Sequence, residues 1–63
     1  MSVYVAVDAN GSEWVYIYRP YKGSVSYSLS DDEDMFHLPQ GSIQKLIGRP
    51  LTFDDEPVKI EDE

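Results

Sequence analysis

Apolar and polar residues alternate along the first third of the chain, a spacing that predicts β-strands. Residues 3–7 read Val-Tyr-Val-Ala-Val, with a β-branched side chain at every second position. Residues 13–19 are again rich in aromatic and β-branched types. Between the two segments, Asn10 and Gly11 are the residue types that accept the positive φ angles of a tight hairpin turn. The pattern therefore predicts a β-hairpin over residues 3–19.

The second arm of this hairpin separates its side chains into an aromatic and an aliphatic face. Trp14, Tyr16 and Tyr18 share one face of the strand, and Val15 and Ile17 share the other. Aromatic residues at this spacing are typical of cross-strand packing within a sheet. The alternative is an exposed interface, because Trp and Tyr are enriched where proteins bind one another.

Three further segments have strand-like patterns. Pro20 ends the hairpin because it lacks an N–H for the ladder, and residues 24–29 then alternate serine with apolar side chains, as in a strand with one solvated face. Residues 35–38 indicate a short fourth strand, and residues 58–60 a short final one.

Residues 42–48 have the features of one short helix. Ser42 is a good N-cap, and Gly48 suits the position just after the helix, where a left-handed conformation is common. Three aliphatic residues fall on one helical face at i, i+3 and i+4: Ile43, Leu46 and Ile47. A helix this short does not form alone, so we expect it to dock on the sheet. Thr52–Asp55 has a loose capping-box spacing, which suggests a second helical turn.

These elements predict one α+β domain over residues 1–63, a small antiparallel meander of three to four strands with one short helix packed on one face. Residues 61–63 are expected to form a frayed acidic tail. One helix cannot cover both faces of the sheet, so the aromatic face is expected to stay partly open. The predicted core consists of Val3, Val5, Val7, Val15, Ile17, Val25, Tyr27, Leu29, Ile43, Leu46 and Ile47.

Acidic residues are concentrated in three runs, at 31–34, 54–56 and 61–63. The chain has 12 Asp and Glu against 5 Lys and Arg, a formal net charge of −7. Such a charge repels nucleic acids and anionic membranes and favours basic protein surfaces. We therefore expect a protein partner with a basic surface, with no direct nucleic-acid or membrane binding.

The residues that build cofactor, metal or catalytic sites are scarce. With no Cys and one His, no cofactor or metal centre is predicted, and the run at 31–34 lacks the ligand spacing of a calcium loop. Ser42 and Lys45 match the S-x-x-K string, but helix capping explains Ser42 better, so no enzymatic activity is predicted. Without a leader-like segment, the chain is expected to be cytoplasmic.

The acidic runs allow two interpretations. Blocks of like charge usually form solvated loops that keep a protein soluble. The alternative is that the carboxylates bind a basic groove on a partner. The residues that would form this contact are Asp31, Asp32, Glu33, Asp34, Asp54, Asp55 and Glu56.

Two stretches of the chain resemble small, acidic, uncharacterised proteins of phages and prophages. The first is the C-terminal stretch 38–58, with Gly-Ser-Ile, Leu-Ile-Gly-Arg and Thr-Phe-Asp-Asp-Glu-Pro-Val in order. The second is Asn10–Trp14. Together they hold 26 of the 63 residues. The chain departs from the pattern at Gln40 and Pro50. The resemblance implies a viral or mobile-element setting and no particular activity.

Two functional hypotheses follow from the sequence. The first is a non-enzymatic, acidic protein-binding module, encoded by a phage and acting on a basic surface of a host protein. The alternative is a small structural or accessory protein that self-associates as a homodimer, with the face of Trp14, Tyr16 and Tyr18 packed against its copy.

Overall fold

The structure is a computed structural model that describes residues 2–61. Within this range the chain forms an α+β fold, as expected. The strands are β1 (Ser2–Val7), β2 (Glu13–Tyr16), β3 (Tyr21–Lys22), β4 (Tyr27–Ser28), β5 (Met35–Leu38) and β6 (Val58–Glu61). A 3₁₀ turn spans Asp32–Asp34, and helix α1 spans Ser42–Ile47. Glu61 belongs to β6, whereas the rest of the predicted tail, residues 62–63, lies outside the described residues.

Four strands form one antiparallel sheet in the order β5-β2-β1-β6. Val5 lies near its centre, opposite Val15 on one side and Val58 on the other. The predicted hairpin is confirmed for β1 and β2, although β2 ends at Tyr16 rather than at residue 19. Only Gly11 in the connecting loop has a positive φ, of 89°, because the loop is longer than the two-residue turn expected from Asn10-Gly11.

The third predicted strand does not join this sheet, so the expected simple meander is wrong. Of residues 24–29, only Tyr27–Ser28 is a strand, and it pairs with Tyr21–Lys22 in a separate two-stranded ladder. Residues 24–25 lie in a bend, which leaves Val25 exposed instead of in the core. The strand that pairs with the free side of β2 in the main sheet is β5.

Both faces of the sheet are covered by apolar side chains. On one face α1 and Leu51 pack against β1, and the buried residues there are Val5, Val7, Ile43 and Leu51. On the other face the segment containing β4 supplies the cover, and the buried residues are Ala6, Tyr16 and Tyr27, with Phe53 packed at their edge. Tyr27 therefore covers the aromatic face at Tyr16, whereas the face stays partly open at half-buried Trp14 and at exposed Tyr18.

The buried carboxylate of Glu13 attaches the helix to the sheet. Glu13 lies on β2 and is 6% exposed. Its Oε2 accepts the N–H of Gly41 at 2.6 Å, and its Oε1 accepts the N–H of Ile43 at 2.7 Å. The first N–H groups of a helix have no partner within the helix, so this carboxylate satisfies two of the donors at its start. A residue about 30 positions away caps α1.

The cap predicted from sequence is corrected accordingly. Gly41, with a φ of 91°, occupies the N-cap, where a left-handed conformation is easy only for glycine. Ser42 is the first helical residue, and its hydroxyl donates to Pro39 O at 2.6 Å. The predicted helix end is confirmed, since Gly48 has a φ of 82° and donates to Gln44 O. Leu46 is exposed, because Ile43 and Ile47 alone face the sheet.

Thr52–Asp55 forms a turn rather than the predicted helix. The Asp55 Oδ2 accepts the backbone N–H of Thr52 at 2.8 Å, which is one half of a capping box. The backbone N–H of Asp55 returns to Thr52 O at 3.0 Å. Pro57 follows two residues later and leaves no room for a helix to continue.

Replacing the capping carboxylate is expected to destabilise the fold. Glu13→Gln keeps the shape but turns an NH₂ group toward a backbone N–H, which leaves a buried donor unpaired. We expect the free energy of unfolding to fall by about 1.5–3 kcal/mol, measured by urea denaturation followed by circular dichroism. The control Glu33→Gln removes an exposed carboxylate and should change it by less than about 0.5 kcal/mol. Equal effects of the two substitutions would contradict the capping role.

Candidate functional site

A shallow groove of about 200 Å³ brings acidic and aromatic side chains together. It lies where the chain leaves β2 and enters β5. Tyr18 and Tyr21 are 63% and 68% exposed. The residues that line the groove are Tyr18, Arg19, Tyr21, Leu29, Ser30, Asp31 and Asp34.

Backbone hydrogen bonds hold the acidic side of the groove in place. Ile17 N–H donates to Asp34 O at 2.9 Å, which joins the end of β2 to the 3₁₀ turn. Within the turn, Asp31 Oδ1 accepts the N–H of Glu33 at 2.9 Å, and Asp31 O accepts that of Asp34 at 3.1 Å. The run that looked like a solvated loop is therefore an ordered turn, with Glu33 exposed and Asp34 half-buried.

The charge of this region remains negative. Asp31 and Asp34 line the groove together with Arg19, so two negative charges against one positive give the lining a formal −1, and the same run contains two further acidic residues. Among the described side chains, the ion pair within 4.0 Å is the one between Lys59 and Glu61, far along the chain from the groove. Lys22 lies 4.7 Å over the ring of Phe53 instead. The groove is thus suited to cationic groups.

The second predicted acidic run lies elsewhere. Asp54, Asp55 and Glu56 lead into β6, whereas the run at 31–34 leads into β5, and these strands are the opposite edges of the sheet. Asp55 is used within its own turn, as described above. Asp54 and Glu56 are exposed. The topology therefore does not bring the two runs to one edge.

The predicted aromatic stripe is divided by the fold. Tyr16 is completely buried, Trp14 is half-buried and Tyr18 is exposed. The Trp14 ring packs edge-on against His37 with centroids 5.0 Å apart, and its Nε1 is buried without a hydrogen-bond partner among the described residues. Only Tyr18 of the three belongs to the groove. Tyr21 was not predicted, although its place between Pro20 and a Lys-Gly turn is a signal for exposure.

Two buried phenols connect the segments on this face. The hydroxyl of Tyr27 donates to Asp55 O at 2.9 Å and lies 3.3 Å from Phe53 O, and its backbone N–H donates to Asp8 Oδ1 at 3.0 Å. Tyr16 donates weakly to Tyr27 O at 3.4 Å. Burial raises the pKa of Tyr16 well above its ordinary value, and Asp8 and Tyr27 add to the shift. Burial likewise raises the pKa of Tyr27.

A larger pocket, of about 300 Å³, lies between α1 and the β1–β2 loop. Its charged group is Glu13, whose two oxygens already accept helix N–H groups. The amide of Gln40 at its rim donates to Gly11 O at 3.2 Å. Glu13 and Gln40 in this pocket thus hold the fold together.

The residues considered for catalysis are not arranged around a common centre. Ser42 donates to a backbone carbonyl, and His37 packs on Trp14 at the far side of the sheet from α1. Within residues 2–61, no group of three or more His, Asp and Glu side chains is placed to hold a metal ion.

Comparison with protein-family models, with curated proteins and with solved structures finds no match for this chain. In the part of the chain that the structure describes, no helix has the length and apolar character needed to cross a membrane.

The raised pKa of Tyr16 predicts a loss of stability at alkaline pH. Above about pH 10.0 the unfolded phenol loses its proton while the buried one keeps it, so the free energy of the unfolded state falls relative to that of the folded state. The contribution of Tyr16 to the free energy of unfolding is fully present below about pH 10 and falls above it, by about 1.4 kcal/mol per pH unit. Urea denaturation between about pH 9 and pH 11 should show a shallower decline for Tyr16→Phe than for the wild type. Tyr18→Phe, an exposed control, should leave the slope unchanged, and an unchanged slope in Tyr16→Phe would refute the assignment.

Proposed function

We propose that this protein is a non-enzymatic, acidic protein-binding module that binds a basic segment of a partner protein through the groove at residues 31–34. The observation that supports this most directly is the presence of exposed Tyr18 and Tyr21 beside Asp31 and Asp34 in one groove. Carboxylates form charge-assisted hydrogen bonds with Arg and Lys. Tyrosine rings attract the same cations through their π faces.

The order of the acidic turn also favours binding over simple solubility. A carboxylate needed only for solubility gains nothing from a fixed position, whereas the Asp31 carboxylate is held by the N–H of Glu33, and the backbone carbonyl of Asp34 accepts the N–H of Ile17 next to β2. Fixed side chains lose less conformational entropy when they bind. The resemblance to phage and prophage proteins is what suggests that the partner is a host protein.

Most of the aromatic face that the homodimer hypothesis requires is not exposed. Tyr16 is fully buried and Trp14 half-buried, so of the predicted stripe only Tyr18 is free to contact a second copy. A formal charge of −7 on each copy also opposes association. Sedimentation at high micromolar concentration, where this alternative expects a dimer, separates the two hypotheses.

Neutralising the turn is expected to weaken binding of a cationic probe. The test variant combines Asp31→Asn, Asp32→Asn, Glu33→Gln and Asp34→Asn, which preserves the Asp31 acceptor that holds the turn. The probe is a fluorescent Arg- and Lys-rich peptide, titrated by anisotropy at about 0.05 and 0.15 M salt. We expect the Kd to rise by about tenfold or more in the variant, equivalent to about 1.4 kcal/mol.

A matched control separates the groove from net charge. It combines Asp54→Asn, Glu56→Gln, Asp62→Asn and Glu63→Gln, so both variants have a formal charge of −3, which is −7 with four charges removed. The control leaves Asp55 in its turn. If both variants bind the peptide equally, whether weakly or tightly, the affinity comes from total charge and the groove is not the binding site.

A further inference from the structure

Strand β5 is an open edge of the sheet. Hydrogen-bonded pairs alternate along an antiparallel ladder, and Ile17 bonds to Asp34 directly opposite it. Phe36 therefore exchanges hydrogen bonds with β2, while the N–H and C=O groups of Met35 and His37 point away from the sheet. None of the hydrogen bonds among the described residues ends on these four outward groups.

The side chains of β5 differ from those of the other edge. On β6, Lys59 and Glu61 form an ion pair at 3.0 Å, and charged side chains on an edge strand discourage pairing with another chain. The four residues of β5 include no Lys, Arg, Asp or Glu. Phe36 points to the helix side of the sheet yet is 53% exposed, because α1 does not reach it.

The acidic groove lies at the beginning of this edge. Asp34 lines the groove and immediately precedes Met35. A chain that entered the groove with a cationic side chain could continue along β5 without a break. Strand addition of this kind takes its affinity from backbone hydrogen bonds and its selectivity from alternate side chains.

We propose that β5 binds an extended segment of the basic partner as an added strand, with an apolar side chain of that segment packed on Phe36 and Arg or Lys at its end in the groove. This inference rests on the proposed function and specifies how the partner is held. Charge complementarity selects the occupant, because a second copy of this chain would bring a formal −7 to an edge that begins with four acids.

The probe is a synthetic peptide, Arg-Lys-Thr-Val-Thr-Val-Thr-Lys-Arg, whose basic ends allow either strand direction. A second peptide has the same sequence with N-methyl groups on alternate residues of its central part, in both possible phases. N-methylation removes backbone donors and keeps every charge. We expect N-methylation in at least one phase to raise the Kd by about tenfold or more.

Amide hydrogen exchange of the wild-type protein provides the direct readout. In the free protein the amides of Met35 and His37 are expected to exchange fast and that of Phe36 slowly, since of these three amides only that of Phe36 bonds to β2. With saturating peptide, exchange at Met35 and His37 should slow by about tenfold or more while Phe36 changes less. Protection that is equal at all three amides would contradict strand addition.

One protein variant tests the edge independently. His37→Pro removes an outward N–H and leaves the hydrogen bonds to β2 intact. We therefore expect it to raise the Kd of the peptide by about fivefold or more. Circular dichroism checks that the His37→Pro variant folds. If the variant does not fold, the N-methylated peptides test the same hydrogen bonds on the wild-type protein.

The outcomes also separate this inference from the proposed function. One outcome is that neutralising residues 31–34 raises the Kd of the peptide, while N-methylation in either phase leaves the Kd unchanged and bound peptide leaves amide exchange at Met35 and His37 unchanged. In that case the groove binds cations and the added strand is refuted. If neutralisation has no more effect than its matched control, the proposed function fails and takes this inference with it.

Discussion

The contact on which the rest of the fold depends is the buried carboxylate of Glu13 against the start of α1. A helix of six residues does not form alone in water, and its first N–H groups need acceptors. Glu13 supplies two of them from the central strand β2. This single residue positions the helix over β1, and the helix in turn buries Ile43 against Val5 and Val7. A charged residue thus organises the apolar core.

A second constraint follows from the two apolar faces of the sheet. Strands β1 and β2 have valines on one face and Ala6 with aromatic side chains on the other, so both faces need cover. The helix covers one, and the chain between β2 and β5 must cover the other. Tyr27 is inserted there and bonded at its backbone to Asp8 and at its hydroxyl to Asp55. Because this segment covers the face, β3 and β4 pair with each other outside the main sheet, and β5 is an edge strand of the main sheet.

The acidic residues therefore divide into two groups. The carboxylates of Asp8 and Glu13 accept hydrogen bonds from distant segments and that of Asp55 accepts within its own turn, while Glu33, Asp54 and Glu56 stay exposed. Buried carboxylates are stable only with donors that compensate for lost water, and the backbone supplies these donors here. The surface charge available for a partner is correspondingly concentrated at the 3₁₀ turn, next to the exposed tyrosines and the open edge.

Local patterns determined the elements of this protein, and the tertiary structure determined their arrangement. Alternation at residues 3–7 and 13–16, the aliphatic spacing of Ile43 and Ile47, and Gly48 at the helix end depend on neighbours along the chain, so they could be predicted. The capping role of Glu13, the burial of Tyr16 and the open edge of β5 could not, because each depends on a residue about 10 to 30 positions away. The acidity was evident from composition alone, but its meeting with Tyr18 and Tyr21 was not, since a backbone hydrogen bond between Ile17 and Asp34 brings those segments together.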